Sequence, residues 1–283
     1  NGKLLMLVTT QQQKIKQVEM FGGDFVKIKL VGDTFDASKN AAIYYSGKNG
    51  AAFIHPFDDP QIIEGQATLA MEILEQTNEK IDYVFVPIGG GGLLAGIVTV
   101  FSVLSPDTKI IGVEPKGAAS MRASIDAGYN VELPKIDKFV DGAAVQKVGD
   151  LTFEICKDYI SDCISVDEGK ICETILEMYN KDAIVLEPAG ALSISALEQY
   201  QEMIKGKNVV CIVSGSNNDI TRMEEIKERA LLYKGVKHYF LVKFPQRPGS
   251  LKEFVLDVLG ENDDIAFFEY TKKNSRETAL ATV

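Results

Sequence analysis

Residues 83 to 97 read YVFVPIGGGGLLAGI, an apolar, β-branched and aromatic run joined to a second apolar run by four consecutive glycines. Glycine loses more conformational freedom on folding than any other residue. Four together are either a flexible joint or a place where bare backbone is needed. The flanking runs limit the choice: YVFVPI has the composition of a buried strand and LLAGIVTVFSVL that of a buried helix. A strand that passes through glycine directly into a helix leaves the first helical N–H groups unobstructed, and the helix dipole favours negative charge there. The spacing is not GxGxxG, and no GK[ST] follows, so neither the dinucleotide fingerprint nor the P-loop applies. A tight, close-packed turn is the plain alternative. The position at a strand's carboxyl end favours a cradle for an anion such as a phosphate.

The same alternation runs through most of the chain. KIIGVEP, DCISVD and NVVCIVSG read as strands, and AASMRASIDAG, EGKICETILEMYNKD and AGALSISALEQYQEMIKG read as helices, the last opened by Pro188. Strands buried on both faces and separated by helices predict a parallel sheet covered on both sides, an α/β fold. The first fifty-odd residues follow this grammar as part of a smaller α/β unit. A boundary is expected near Lys234 and Gly235. Beyond it, strand, helix, strand and strand follow in the order of a partial ferredoxin-like module.

Tyr83 to Pro106 holds no charged residue, a length that suggests a membrane span. Pro87 and Gly89 to Gly92 break it, and Leu93 to Leu104 is too short to cross a bilayer. A net charge of −10 argues against a nucleic-acid surface. The four cysteines form no CxxC pair and the chain has only His55 and His238. Reduced thiols in a cytoplasmic protein are therefore expected, and no metal site. His55 reads as a packed loop residue. Ser214 ends a buried strand and should face the same crevice as the glycines, although a lone hydroxyl there commonly caps the next helix.

Taken in order, VFVPIGGGGLLAGI, KIIGVEPKGAASM, FVDGAAVQKVGDLTF, VLEPAGALSISALEQY and VCIVSGSNNDI resemble the threonine dehydratase (threonine ammonia-lyase) family of fold type II enzymes, which depend on pyridoxal phosphate. PFDDPQIIEGQATLAMEIL fits the same family. Serine racemases and serine dehydratases share the core motifs. The tail HYFLVKFPQRPGSLKEFVLDVL resembles the ACT-like regulatory domain of the biosynthetic threonine dehydratases.

The resemblance implies three regions: 1–53, the remainder of a small α/β domain; 54–234, the large cofactor-binding domain; and 235–283, a partial ACT-like domain. It implies that Gly89, Gly90, Gly91, Gly92 and Leu93 hold the cofactor phosphate through backbone amides and that Ser214 meets the pyridine nitrogen. Glu187 is left between a place near the ring and a helix N-terminal charge. Glu114 matches a cation-binding carboxylate of serine racemases, but Ser120 stands where those proteins have an acid. An amino-acid substrate, isoleucine or valine as effector and a homo-oligomer are likewise expected. The family's SFKxRGA-like motif, which carries the Schiff-base lysine, and its SxGNHAQ motif do not occur in the 283 residues. Lys3, Lys14 and Lys16 match neither, so the catalytic residue is unknown. A protein of these residues alone is expected to be silent and a longer parent active. A serine racemase or dehydratase, and a non-catalytic ligand-binding chain, stand as alternatives.

Overall fold

The computed structural model describes residues 2–10, 12–33, 35–271 and 278–283. The chain divides into two compact units, Asn1–Ala230 and Leu231–Val283.

The first unit opens with β1 (Gly2–Met6), α1 (Gln12–Gly22), β2 (Val26–Leu30) and α2 (Phe35–Asn49). β1 and β2 pair in parallel from Gly2↔Val26 to Met6↔Leu30. A parallel pair needs a crossover, and α1 supplies it. The chain continues through α3 (Pro60–Gln76), β3 (Tyr83–Pro87), α4 (Gly92–Leu104), β4 (Lys109–Pro115), α5 (Ser120–Ala127), α6 (Asp150–Cys156), β5 (Asp162–Val166), α7 (Glu168–Asp182), α8 (Pro188–Ser195), α9 (Leu197–Tyr200), β6 (Val209–Cys211) and α10 (Met223–Tyr233). The strands β3 to β6 form a second, parallel sheet in the order β5-β4-β3-β6.

Every residue of central strand β3 is buried, which is why its sequence shows no polar alternation. The pleat still sorts its side chains. Tyr83 and Phe85 join Ile111 and Val113 of β4 in a core with Ile171, Ile175 and Leu192 of α7 and α8. Val84 and Val86 point the other way, into a core with Ile63 of α3 and Leu94, Ile97 and Phe101 of α4. The expected strand NVVCIVSG is shorter than its apolar run. Regular pairing ends at Cys211, and Ile212 N still donates to Phe85 O at 3.1 Å. The chain then turns toward α8, where Glu187 N donates to Gly215 O at 3.2 Å.

The second unit contains β7 (Leu241–Pro245), α11 (Ser250–Glu253) continued by a π-helical turn over Phe254–Val258, β8 (Glu269–Thr271) and β9 (Thr278–Thr282). The sheet order is β7-β9-β8, with both pairs antiparallel. A late strand inserted antiparallel between two earlier ones is the ferredoxin-like arrangement expected from the sequence. Phe244 anchors this unit, with its ring 5.4 Å from that of Phe254 and 6.3 Å from that of Phe268. The expected KNSR turn lies outside the described residues.

One buried carboxylate joins sheet to helix. Glu114, fully buried near the end of β4, accepts from Met121 N at 2.7 Å and Arg122 N at 2.8 Å, so it caps α5 from a neighbouring strand. Burial pushes its carboxyl up to about 7, against the pull of those amides. The folded state therefore keeps a proton that the unfolded chain releases near pH 4.5, and Glu114's contribution to stability falls as pH rises from about 4.5 to about 7. Glu114→Gln does not titrate. Its unfolding free energy relative to wild type is expected to improve between pH 5 and pH 8, by up to about 3 kcal/mol. Denaturant unfolding at both pH values measures this, and a difference independent of pH would contradict it.

Candidate functional site

β3 hands over to α4 at the carboxyl edge of the sheet. Ile88 N donates to Val113 O at 2.8 Å, and the chain then enters α4 with Gly91 as N-cap at φ 94°. That left-handed conformation favours glycine. On one side the loop is tightly packed: a Cβ on Gly91 would lie 2.7 Å from Thr152 Oγ1, and one on Gly90 would fall 2.2 Å from the Phe57 ring. Gly90 O accepts from Gly149 N at 3.1 Å and Thr152 Oγ1 at 2.8 Å. Because C=O and N–H point in opposite directions across a trans peptide, the Gly91 N–H is turned away from α6. Gly92 and Leu93 open α4, so their N–H groups have no intrahelical acceptor and lie at the positive end of the helix dipole.

These backbone groups border a cavity of about 840 Å³, lined by Gly89, Gly90, Gly91, Gly92, Leu93 and Ser214 together with Phe57, Ala189, Lys14, Asp141 and Arg222. Sequence reasoning placed the glycines and Ser214 on one crevice, and the structure brings them together. The missing side chains of Gly90, Gly91 and Gly92, however, face Phe57 and Thr152, and that of Gly89 faces Gly142 and Ala143. Close packing accounts for the residue type, and the amide side lines the cavity.

The PFDDP segment sets Phe57 in place. His55 Nδ1 accepts from Asp58 N at 2.7 Å and Phe57 N at 3.3 Å, and the imidazole stands edge-on to the Phe53 and Phe57 rings. Burial lowers its pKa, consistent with a neutral ring that accepts at Nδ1. The Asp58 carboxylate accepts from the amides of Asp150, Leu151 and Thr152 at 3.0 to 3.1 Å, which caps α6. Asp59 caps α3 through Gln61 N at 2.9 Å.

Glu187 makes no capping bond to α8. Its Oε2 lies 4.0 Å from Lys14 Nζ, and burial raises its pKa. Both oxygens of Glu114 are taken up by α5, and among the described residues no group of three His, Cys, Asp or Glu could hold a metal ion. Sequence reasoning missed Lys14, Asp141 and Arg222. FVDGAAV had flagged the stretch containing Asp141, whereas Lys14 matched no motif.

The model of the family described as "Pyridoxal-phosphate dependent enzyme" matches residues 3–215, and that of the "C-terminal regulatory domain of Threonine dehydratase" matches 228–283. The biosynthetic L-threonine dehydratase IlvA of Halalkalibacterium halodurans is 56% identical over 275 residues, covering 97% of this chain and 66% of that protein. The Staphylococcus aureus (strain MSSA476) enzyme of the same name is 56% identical over 287 residues, covering all of this chain and 68% of that protein. The chain belongs to the threonine dehydratase family. It spans about two thirds of the length of these relatives. Among solved structures, the processed form of threonine deaminase isoform 2 from Solanum lycopersicum superposes with a TM-score of 0.74 at 42% identity, covering 81% of this chain and 66% of that one.

The cavity suits the family's cofactor. A run of side-chain-free amides at a helix N-terminus matches a phosphate, and Ser214 places a neutral hydroxyl on the same cavity.

Asp58→Ala removes the acceptor of three amides and Asp59→Ala that of one. The first is expected to cost about 2 kcal/mol and the second about 1 kcal/mol. Denaturant unfolding measures both, and equal losses would show that Asp58 does not carry the α6 cap.

Proposed function

We propose that this chain belongs to an L-threonine ammonia-lyase, which expels the β-hydroxyl of L-threonine as water and takes up water again as the resulting imine is hydrolysed to 2-oxobutanoate and ammonia, the first step of isoleucine biosynthesis. The observation that carries this reading is the pairing, in one chain, of a match to pyridoxal-phosphate-dependent enzymes over 3–215 with a match to a threonine dehydratase regulatory domain over 228–283, and the cavity lined by the glycines and Ser214 supports it. Serine racemases and dehydratases share the cavity motifs, and the regulatory match favours threonine over that alternative. Free thiols at all four cysteines fit a cytoplasmic setting.

In this reading Gly89 to Leu93 bind the cofactor phosphate through their amides, and Ser214 faces the ring nitrogen. Bound pyridoxal phosphate supplies an electron sink for the bonding pair released at the substrate α-carbon. A hydroxyl at 214, unlike a carboxylate, leaves the ring nitrogen without a proton held by an opposite charge. That weakens the sink and suits loss of the β-hydroxyl over transamination. Because the SFKxRGA-like motif is absent, no lysine of residues 1–283 is assigned to the exchange with the substrate amine. These residues alone are expected to release no 2-oxobutanoate, and the full-length protein is expected to release it.

The second unit is proposed to bind isoleucine or valine at the start of α11. There Gly249 is left-handed (φ 92°), and the Ser250 hydroxyl donates to Pro245 O and Arg247 O, closing the loop before the helix. The amides of 249–251 would meet the effector carboxylate.

L-Threonine-dependent release of 2-oxobutanoate by the full-length protein tests the activity; its absence, with D-serine formed from L-serine, would favour the racemase. Ser214→Ala is expected to weaken cofactor retention by about 0.5–1.5 kcal/mol with little change in unfolding. Wild-type retention in Ser214→Ala would reduce Ser214 to a structural residue. Calorimetry on the full-length protein should show isoleucine or valine binding, and no heat from either would count against the effector site.

A further inference from the structure

One wall of the cavity is held by charges that come from four separate segments. Lys14 Nζ of α1 is 2.7 Å from Asp141 Oδ2 and 4.0 Å from Glu187 Oε2. Arg222 Nη1 reaches the other oxygen of Asp141 at 3.5 Å, and its Nη2 donates to Phe139 O at 2.8 Å. Lys14, Asp141 and Arg222 all line the cavity. Exposed ion pairs contribute little, but the Glu187 and Arg222 side chains are only 17% and 16% exposed. Glu187 also has little room. A Cβ on Gly215 would lie 2.2 Å from its Oε1, and one on Gly142 would lie 3.5 Å away. If Glu187 moves, it presses on Gly215, next to Ser214.

We infer that Lys14 is a positioning residue: its ammonium, shared by Asp141 and Glu187, holds the 139–143 loop and the Ser214–Gly215 segment in register around the cofactor ring. This rests on the reading of the cavity as the pyridoxal phosphate site. The charge count explains why one cation matters. Asp141 keeps Arg222 when Lys14 is removed, whereas Glu187 loses its nearest cation and faces Asp141 with only Arg222 to offset the repulsion. Burial already raises the Glu187 carboxyl, and Lys14 opposes that rise. Without Lys14 the carboxyl rises further, so at low pH it takes up a proton and the repulsion is relieved. At high pH both carboxylates are charged and the wall is pushed apart.

The test uses the full-length protein and its Lys14→Met and Lys14→Arg variants. Pyridoxal phosphate affinity is read by fluorescence titration of the cofactor-free protein at pH 6 and pH 8.5, with the cofactor-free unfolding midpoint alongside. Lys14→Met is expected to bind about tenfold more weakly at pH 8.5 and to lose less at pH 6, with Lys14→Arg restoring most of the loss. Unchanged affinity in Lys14→Met at both pH values would overturn the inference while leaving the cofactor site in place. An equal loss at both pH values, not restored by arginine and matched by a lower unfolding midpoint, would also overturn it, because the role would then be packing. A wild-type protein that binds no pyridoxal phosphate would overturn the cofactor reading and this inference together.

Discussion

Two donors converge on the carbonyl of Gly90, Gly149 N at 3.1 Å and the Thr152 hydroxyl at 2.8 Å, and the geometry of the glycine loop depends on that convergence. Four glycines with no outside anchor would sample many conformations, at a cost of about 1–2 kcal/mol of backbone entropy per residue when fixed. The anchors restrict the loop from outside. They are themselves secured, because Thr152 lies in α6, whose first amides end on the Asp58 carboxylate. Asp58 in turn adjoins Phe57, whose ring occupies the space beside Gly90. The amides at the α4 N-terminus are thus set by a closed circuit from 57 through 152 to 90, with no side chain of the loop itself involved.

The circuit works because the sheet beneath it is rigid. β3 pairs on both sides, with β4 and with β6, and both of its faces are buried. A helix that starts directly from such a strand inherits its position. The carboxyl edge of a parallel sheet then becomes a fixed rim on which loops from different parts of the chain meet. Ser214 arrives at the rim from β6, next to β3 in the sheet, and this adjacency puts it on the same cavity as Gly89 to Leu93.

Much of this was legible in the sequence, for identifiable reasons. Strands buried on both faces show as largely apolar runs, so β3 and β4 could be read directly, whereas the edge strand β5 is only partly buried and keeps polar residues. The order strand, helix, strand, strand near the end carried the topology of the second unit. The shared crevice followed from two strands each ending in small residues. The extent of β6 was not legible, because an apolar run does not report where pairing stops. Val213 and Ser214 belong to the same run as Val209, yet the chain leaves the sheet after Cys211 to meet Glu187 through Gly215 O.

The charged residues show the limit most clearly. Glu114 and Glu187 both precede a proline in the sequence, and motif alone offered each a role near a ligand. Their partners separate them. Glu114 faces helix amides seven and eight positions further on, and those amides take both of its oxygens. Glu187 faces a lysine near the start of the chain, and that lysine also holds Asp141, 127 positions away from it. A buried carboxylate is tolerated only if amides or cations compensate it, so each acidic residue required a partner. Sequence gives the requirement and, for a local partner, a candidate. It gives no candidate for a partner brought in by a distant crossover, and Lys14 could not be distinguished from Lys3 or Lys16 until the fold placed it against Asp141.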